Sequence, residues 1–361
     1  MITILDYAER IIHCGGKLFL YGCGEIGTLM EEFLSHYGIK ISGYLVSDGH
    51  MKIDTINGIN IFEISKTACS EKDGIILAVS SLYYNEIIPE IVNKNYKNLY
   101  FLRLEEIYVA KAMKKLSELG VDLRTDILDF GEFKFPNLFE FASKEMTVSE
   151  LYETISEFQD LVYPFLDDYS QVAEGLYEHK KVRLDKNDIV LDCGANIGLF
   201  SARAAALGCK VFSFEPSPIP SQYLKMVKEI YHNITIVPYA LAEKEGVSTF
   251  FDVESNIGAG NIIGSTHDGL GKRFKVKVTT VDEFVKKNRL EKLDFIKADI
   301  EGAERMMLKG ARETLRRYSP KLSVCFYHLY DDIPVLTDLI LDANPNYKIT
   351  YAWQKLYAWV E

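Results

Sequence analysis

Residues 190–201, VLDCGANIGLFS, decide the fold. The apolar run IVLDC contains an acidic residue near its end, a turn with two glycines follows, and LFSARAAALG opens a helix. A buried strand passing through a glycine turn into a helix is the first unit of a doubly wound α/β sheet, and such sheets bind ligands beyond the carboxyl ends of their strands. The turn places Asp192, Gly194, Asn196 and Gly198 in a D-x-G-x-x-x-G spacing, which is not the G-x-G-x-x-G that seats a pyrophosphate on a helix N-terminus. An acid at the strand end repels phosphate and suits a cationic group, and Gly194 lacks the Cβ that would hold a ligand off the backbone. The next strand ends in FSFEP, which puts Glu215 23 residues past Asp192, about where an acidic side chain grips a ribose diol. An ammonium at one end and an unphosphorylated ribose at the other describe S-adenosylmethionine. Without a ligand, Asp192 would cap the helix, Gly198 would ease its packing and Glu215 would be an exposed strand end; their joint spacing on successive strands favours the cofactor.

Around this motif the strand and helix patterns alternate from Asn187 to the C-terminus, with strands at DIVLDC, KVFSFE, ITIVPY, VSTFFDV, RFKVKVTTV, LDFIKAD, KLSVCFYH, YKITYAW and LYAWV. Only Gln354 and Lys355 separate the last two, so they form an antiparallel hairpin at the edge of a parallel sheet. The first hundred residues alternate in the same way and predict a smaller Rossmann-like domain over 1–104. Residues 105–164 read as a mostly helical connector. Within it, Thr147 and Glu150 form a capping-box pair, and Phe130, Phe133 and Phe135 are expected in a core rather than at a substrate mouth. The C-terminal domain is placed at 165–361.

The chain has 361 residues, is 48% hydrophobic and carries a formal charge of −11. That charge disfavours nucleic acid and anionic membrane surfaces as partners and favours a small neutral or cationic ligand. The N-terminus lacks a signal-peptide pattern and no apolar run is long enough to span a bilayer, so a cytoplasmic protein without a transmembrane segment is expected. Six scattered cysteines suggest neither disulfides nor zinc. Assembly as a homo-oligomer stays open.

The segments IVLDCGANIGLFSARAAALGCKVFSFEPSP, IVPYALAEKEG, VTTVDEF, LDFIKADIEGAERMMLKGARETL and PKLSVCFYH together resemble the FkbM-type S-adenosylmethionine-dependent methyltransferases. DFIKADIEGAE is the most specific of them. The resemblance covers roughly Phe165 to the C-terminus. It implies a class I methyltransferase fold, S-adenosylmethionine as cofactor, and O-methylation of a hydroxyl on a saccharide or related small molecule. Asp192, Gly194, Asn196, Gly198 and Glu215 match the family's cofactor motif. The chain departs from it before His328, where many members carry an acid and this sequence has Tyr327, which weakens any metal role drawn from that acid.

Methyl transfer to oxygen needs the hydroxyl held in line and its proton taken by a base. Two strand ends offer candidates: Asp299 after LDFIKA and His328 after LSVCFY. His328 is the first choice for base because imidazole titrates near neutrality; Asp299 would orient it or contact substrate or cofactor. A divalent cation held by Asp299, Glu301 and His328 ranks below the metal-free scheme. Glu301 and Glu304 also suit the positive end of a helix dipole with no ligand at all. Asn256, Asn261 and His267, in a glycine-rich loop, are acceptor-binding candidates.

GCGEIG, Gly22 to Gly27, follows the strand KLFLY and opens a helix, and Asp48 ends the next strand. Gly22, Gly24, Gly27 and Asp48 thus mark a second site for a nucleotide or nucleotide sugar, or else a purely structural Rossmann turn. Two rival functions remain: an NAD-dependent sugar oxidoreductase built on this turn, and a non-catalytic protein that senses S-adenosylmethionine or a nucleotide.

Overall fold

The computed structural model describes residues 3–68, 70–94, 96–102, 104–118, 120–137, 176–253, 256–262 and 272–361. The described residues up to Leu123 form one compact unit and those from Arg124 onward another. Among them no helix is long and apolar enough to cross a membrane.

In the first unit, strands β1 (Leu18–Tyr21), β2 (Gly43–Val46), β3 (Thr55–Ile56), β4 (Ile59–Glu63), β5 (Gly74–Leu77) and β6 (Asn98–Phe101) form one sheet in the order β3-β4-β2-β1-β5-β6. Pairing is parallel except between β3 and β4. β1, β2 and β5 are buried along their whole lengths, as the apolar runs require of strands covered on both faces. Helices α1 (Ile4–His13), α2 (Glu25–His36), α3 (Tyr84–Asn93) and α4 (Leu104–Glu118) complete the unit. α4, expected in the connector, packs on α2 and holds Glu32 through Lys114 at 2.8 Å.

In the second unit, β7 (Ile127–Asp129) and β8 (Lys134–Pro136) form a small hairpin. Phe133 and Phe135 are core residues, and the half-buried Phe130 stacks on Phe133. The connector expected over 105–164 is thus divided, α4 to the first unit and the hairpin to the second. The capping-box residues Thr147 and Glu150 lie outside the described residues.

The remaining strands are β9 (Ile189–Cys193), β10 (Lys210–Phe214), β11 (Ile234–Val237), β12 (Tyr239–Leu241), β13 (Gly246–Val253), β14 (Asn256–Asn261), β15 (Arg273–Thr279), β16 (Phe295–Ala298), β17 (Lys321–Cys325), β18 (Lys348–Ala352) and β19 (Lys355–Trp359). The helices are α5 (Leu199–Ala206), α6 (Pro218–Ile230), α7 (Val281–Lys287), α8 (Glu304–Lys309), α9 (Arg312–Tyr318) and α10 (Asp332–Ala343). The main sheet has the order β11-β10-β9-β16-β17-β19-β18, parallel except that β19 runs antiparallel to both neighbours. This is the class I methyltransferase order, closed by the expected hairpin. The turn residues are Trp353 and Gln354, one position earlier than the sequence suggested. VSTFFDV and RFKVKVTTV do not extend the main sheet: with β12 and β14 they form a separate four-stranded sheet, β12-β15-β13-β14. β15 alternates exposed and buried residues until its last turn, a pattern suited to a sheet with one solvated face. The order of the main sheet reverses at β9 and β16, whose carboxyl ends lie side by side.

Candidate active site

The turn after β9 is built by contacts within the chain. The amides of Gly194 and Ala195 donate to the Phe214 carbonyl at 3.1 and 2.9 Å, and the Asp299 amide donates to the Cys193 carbonyl at 3.0 Å. These bonds tie the ends of β9, β10 and β16 together. Gly194 has φ +77°, and a Cβ there would sit 1.8 Å from the Asp299 carbonyl oxygen. The crossing of two strand ends is by itself enough to demand glycine here. Gly198, with φ +96°, packs where a Cβ would meet Leu224 at 2.6 Å, and it opens α5. Gly194→Ala is expected to lower the melting temperature and weaken cofactor binding together; the backbone conformation alone costs about 1–3 kcal/mol, and thermal melts with cofactor titration would measure both.

Asp192 departs from the expected role. Its side chain is fully buried, 3.2 Å from the Lys297 ammonium, with the Ser201 hydroxyl donating to it at 2.5 Å. Lys297 also donates to the Gly194 carbonyl at 2.5 Å. The carboxylate is thus an internal counter-ion that fixes the turn from behind and does not face a ligand's ammonium. A lysine inside the apolar run DFIKAD was the available sign of this pair.

Glu215 immediately follows β10. Its oxygens accept the Asn196 and Ser217 amides at 2.9 and 2.8 Å. Burial raises its pKa to about 7, against the lowering effect of those two amides and of Lys297. Each oxygen retains acceptor capacity, as a ribose diol requires. Asn196 has φ +46°, and this left-handed turn aims its amide at Glu215. On this observation the end of the sheet fits S-adenosylmethionine.

Beside the turn, the loop after β16 gathers the candidate catalytic groups. Asp299 accepts the Tyr177 hydroxyl at 2.6 Å and the Tyr327 hydroxyl at 3.1 Å. Lys297 and Lys355 both lie against the Tyr177 ring, 4.9 and 4.5 Å from its centroid. Burial works to raise the Asp299 pKa, but Lys297, His328, Lys355 and Tyr177 together hold it below the usual carboxylate range. His328 has Asp299 at 3.6 Å and Glu301 at 3.5 Å from Nε2, and Glu304 at 3.4 Å from Nδ1. Glu304 is fully buried and accepts the Ile300 amide at 2.7 Å. Burial pushes Glu301 upward, partly offset by His328. It sits at φ +55°, followed by Gly302 at +93°, a left-handed pair that turns its carboxylate back toward His328.

The expectation that His328 acts as base requires correction. Burial opposes its charge, yet Glu301, Glu304 and Asp299 outweigh it and raise the pKa to about 11. With no cation among these groups, the three carboxylates favour the protonated imidazole, which is unsuited to act as the base. Tyr177, Lys297, Lys355 and the partnership of Glu304 with His328 were not anticipated. Tyr177 lay in a segment with no motif, and Glu304 read as an ordinary first-turn acid. Of the loop candidates, Asn261 is buried, the side chain of Asn256 is not described, and His267 lies outside the described residues.

In the first unit, a Cβ on Gly22 would meet Val79 at 2.5 Å and one on Gly27 would meet the Gly22 carbonyl at 2.1 Å, so both glycines serve local packing. Gly24 faces open space at the start of α2. Asp48 accepts the Ser65 amide at 3.1 Å.

The model of the Methyltransferase FkbM domain matches residues 192–347. A curated relative, the hexuronic acid methyltransferase AglP of Haloferax volcanii, is 27% identical over 168 residues, covering 46% of this chain and 66% of its own length. Among solved structures, the FkbM methyltransferase of Methylobacillus flagellatus is similar over 98% of this chain and 92% of that one, with 16% identity and a TM-score of 0.40. Fibrillarin of Aeropyrum pernix with natively bound S-adenosylmethionine is similar over 49% of this chain and 67% of that one, with 12% identity and a TM-score of 0.30. The sheet order, the glycine turn with Glu215 and the match from Asp192 onward agree: residues 192–347 match the FkbM methyltransferase domain, and the cofactor is S-adenosylmethionine.

Proposed function

We propose that the second unit transfers a methyl group from S-adenosylmethionine to a hydroxyl of a saccharide or related small molecule. The carrying observation is the direct junction of the Gly194 turn with the Asp299 loop, which puts ionisable groups beside the cofactor end of the sheet. The curated relative's action on a hexuronic acid supports a sugar acceptor.

Glu215 and the Asn196 turn hold the cofactor's ribose, and the cofactor when bound supplies an electrophilic methyl group. The acceptor hydroxyl must lose its proton as it attacks. Both oxygens of Asp299 already accept tyrosine hydroxyls, whereas Glu301 is 27% exposed. Glu301 is therefore the proton acceptor, and Asp299, braced by Tyr177 and Tyr327, orients the hydroxyl. His328 and Glu304 hold Glu301 from behind. The first unit is proposed to take a nucleotide or nucleotide sugar at Gly24 and Asp48, or another subunit.

The test is incubation of the full chain with S-adenosylmethionine and a panel of hexoses and hexuronic acids, following S-adenosylhomocysteine release and product structure. A methyl ether supports the proposal. A methyl ester would move the acceptor from hydroxyl to carboxylate, and cofactor binding without turnover on any acceptor would favour the sensor reading. Calorimetric titration with NAD and a nucleotide sugar checks the first unit.

Cofactor binding should depend on pH through Glu215. Its ionised form accepts the ribose hydroxyls, and its raised pKa leaves it protonated below pH 7. The dissociation constant is expected to rise by roughly tenfold per pH unit below 7 and to flatten above it. The same shift makes the ionised group a cost to folding: relative to the acid form, stability falls as pH rises from the ordinary glutamate range to about 7. Calorimetry between pH 5.5 and 8 checks the binding curve.

A further inference from the structure

We propose that Asp299, Glu304 and His328 form a binding site for a divalent cation beside the proposed acceptor position. The three side chains come from separate points of the fold: the end of β16, the first turn of α8 and the segment after β17. Each offers one ligand atom, and these atoms all lie within 4.8 Å of one another. Two observations point to a cation rather than to a closed ion-pair network. First, Glu304 is fully buried, yet its Oε2 has no hydrogen-bond partner among the described residues. A buried carboxylate oxygen left this way is costly unless a positive charge meets it. Second, His328 is 7% exposed and neither ring nitrogen makes a hydrogen bond among the described residues. Its separations of 3.4–3.6 Å from the surrounding carboxylates are too long for hydrogen bonds. With one ring nitrogen taken as the ligand atom, the Asp299, Glu304 and His328 donors lie within 4.8 Å of one another, a spread that a cation held at about 2.1 Å closes by small side-chain rotations.

The ligand set, two carboxylates and one imidazole, suits a hard to borderline ion such as Mn²⁺ or Zn²⁺. Asp299 and Glu301 are the more open members of the group and Glu304 the closed one, so the remaining ligand positions face outward, where a hydroxyl can bind. A cation there would acidify the hydroxyl whose proton passes to Glu301. This role rests on the methyltransferase reading; the existence of the site does not.

The experiment is calorimetric titration of the full chain, stripped with EDTA and desalted, with MnCl₂, in parallel with thermal melts and a separate titration with S-adenosylmethionine. One equivalent of Mn²⁺ is expected per chain, with a rise in melting temperature. Glu304→Gln keeps an acceptor for the Ile300 amide, and His328→Asn removes the ring; each is expected to weaken Mn²⁺ binding at least tenfold in protein that still melts cooperatively. Absence of saturable binding at millimolar Mn²⁺, or equal affinity in wild type and both variants, overturns the site. Binding of S-adenosylmethionine without Mn²⁺ overturns the cation site and leaves the methyltransferase reading intact. Binding of Mn²⁺ without S-adenosylmethionine supports the site and overturns that reading.

Discussion

Lys297→Met is expected to lower the stability of the second unit by about 3–5 kcal/mol, because it strands the Asp192 carboxylate in a fully buried position. The lysine is itself buried, its ammonium lies 3.2 Å from Asp192, and it also holds the Gly194 carbonyl. The second substitution, Asp192→Asn, removes the stranded charge while keeping an acceptor for Ser201. The double variant should therefore recover a large part of the loss, although each single change is harmful. Urea titration of the four proteins in the cycle measures this. If Lys297→Met melts like wild type while abolishing cofactor binding, Asp192 is a ligand-facing group after all and the counter-ion role is wrong.

The second large effect concerns turnover. Glu301→Gln keeps size and polarity but cannot accept a proton, so kcat should fall by about 10²–10⁴-fold, with affinity for S-adenosylmethionine unchanged. Tyr177→Phe should lower kcat less, since it only loosens Asp299, which keeps its bond from Tyr327. Equal turnover in Glu301→Gln and wild type would place the proton acceptor elsewhere, with Asp299 the next candidate.

The fold was legible because its signals are local. A strand, a glycine turn and a helix can be read within twelve residues, and Gln354 and Lys355 sufficed to predict the hairpin. Glu215 was legible for the same reason: its distance along the chain from Asp192 follows from one crossover. The electrostatics were not local. Asp192 looked like a ligand contact because its partner, Lys297, lies more than a hundred residues away, and its burial depends on how β16 pairs with β9. His328 looked like a base because a sequence cannot show three carboxylates converging on one ring. Gly194 was read as leaving room for a ligand, and the sequence could not show that the Asp299 carbonyl also needs that room. β13 and β15 read as strands, and only their partners could reveal that they belong to a second sheet.

The contact between Gly194 and the Asp299 carbonyl also bears on how such a domain can diversify. The proposed cofactor seat and the proposed proton-handling loop share one backbone joint, so a change that shifts either moves both, and few such changes will be tolerated. New acceptor preferences must then arise in elements that do not touch the joint. Directed evolution for altered substrates should accumulate substitutions away from residues 192–198 and 297–304, and a library confined to those two stretches should yield mostly inactive protein.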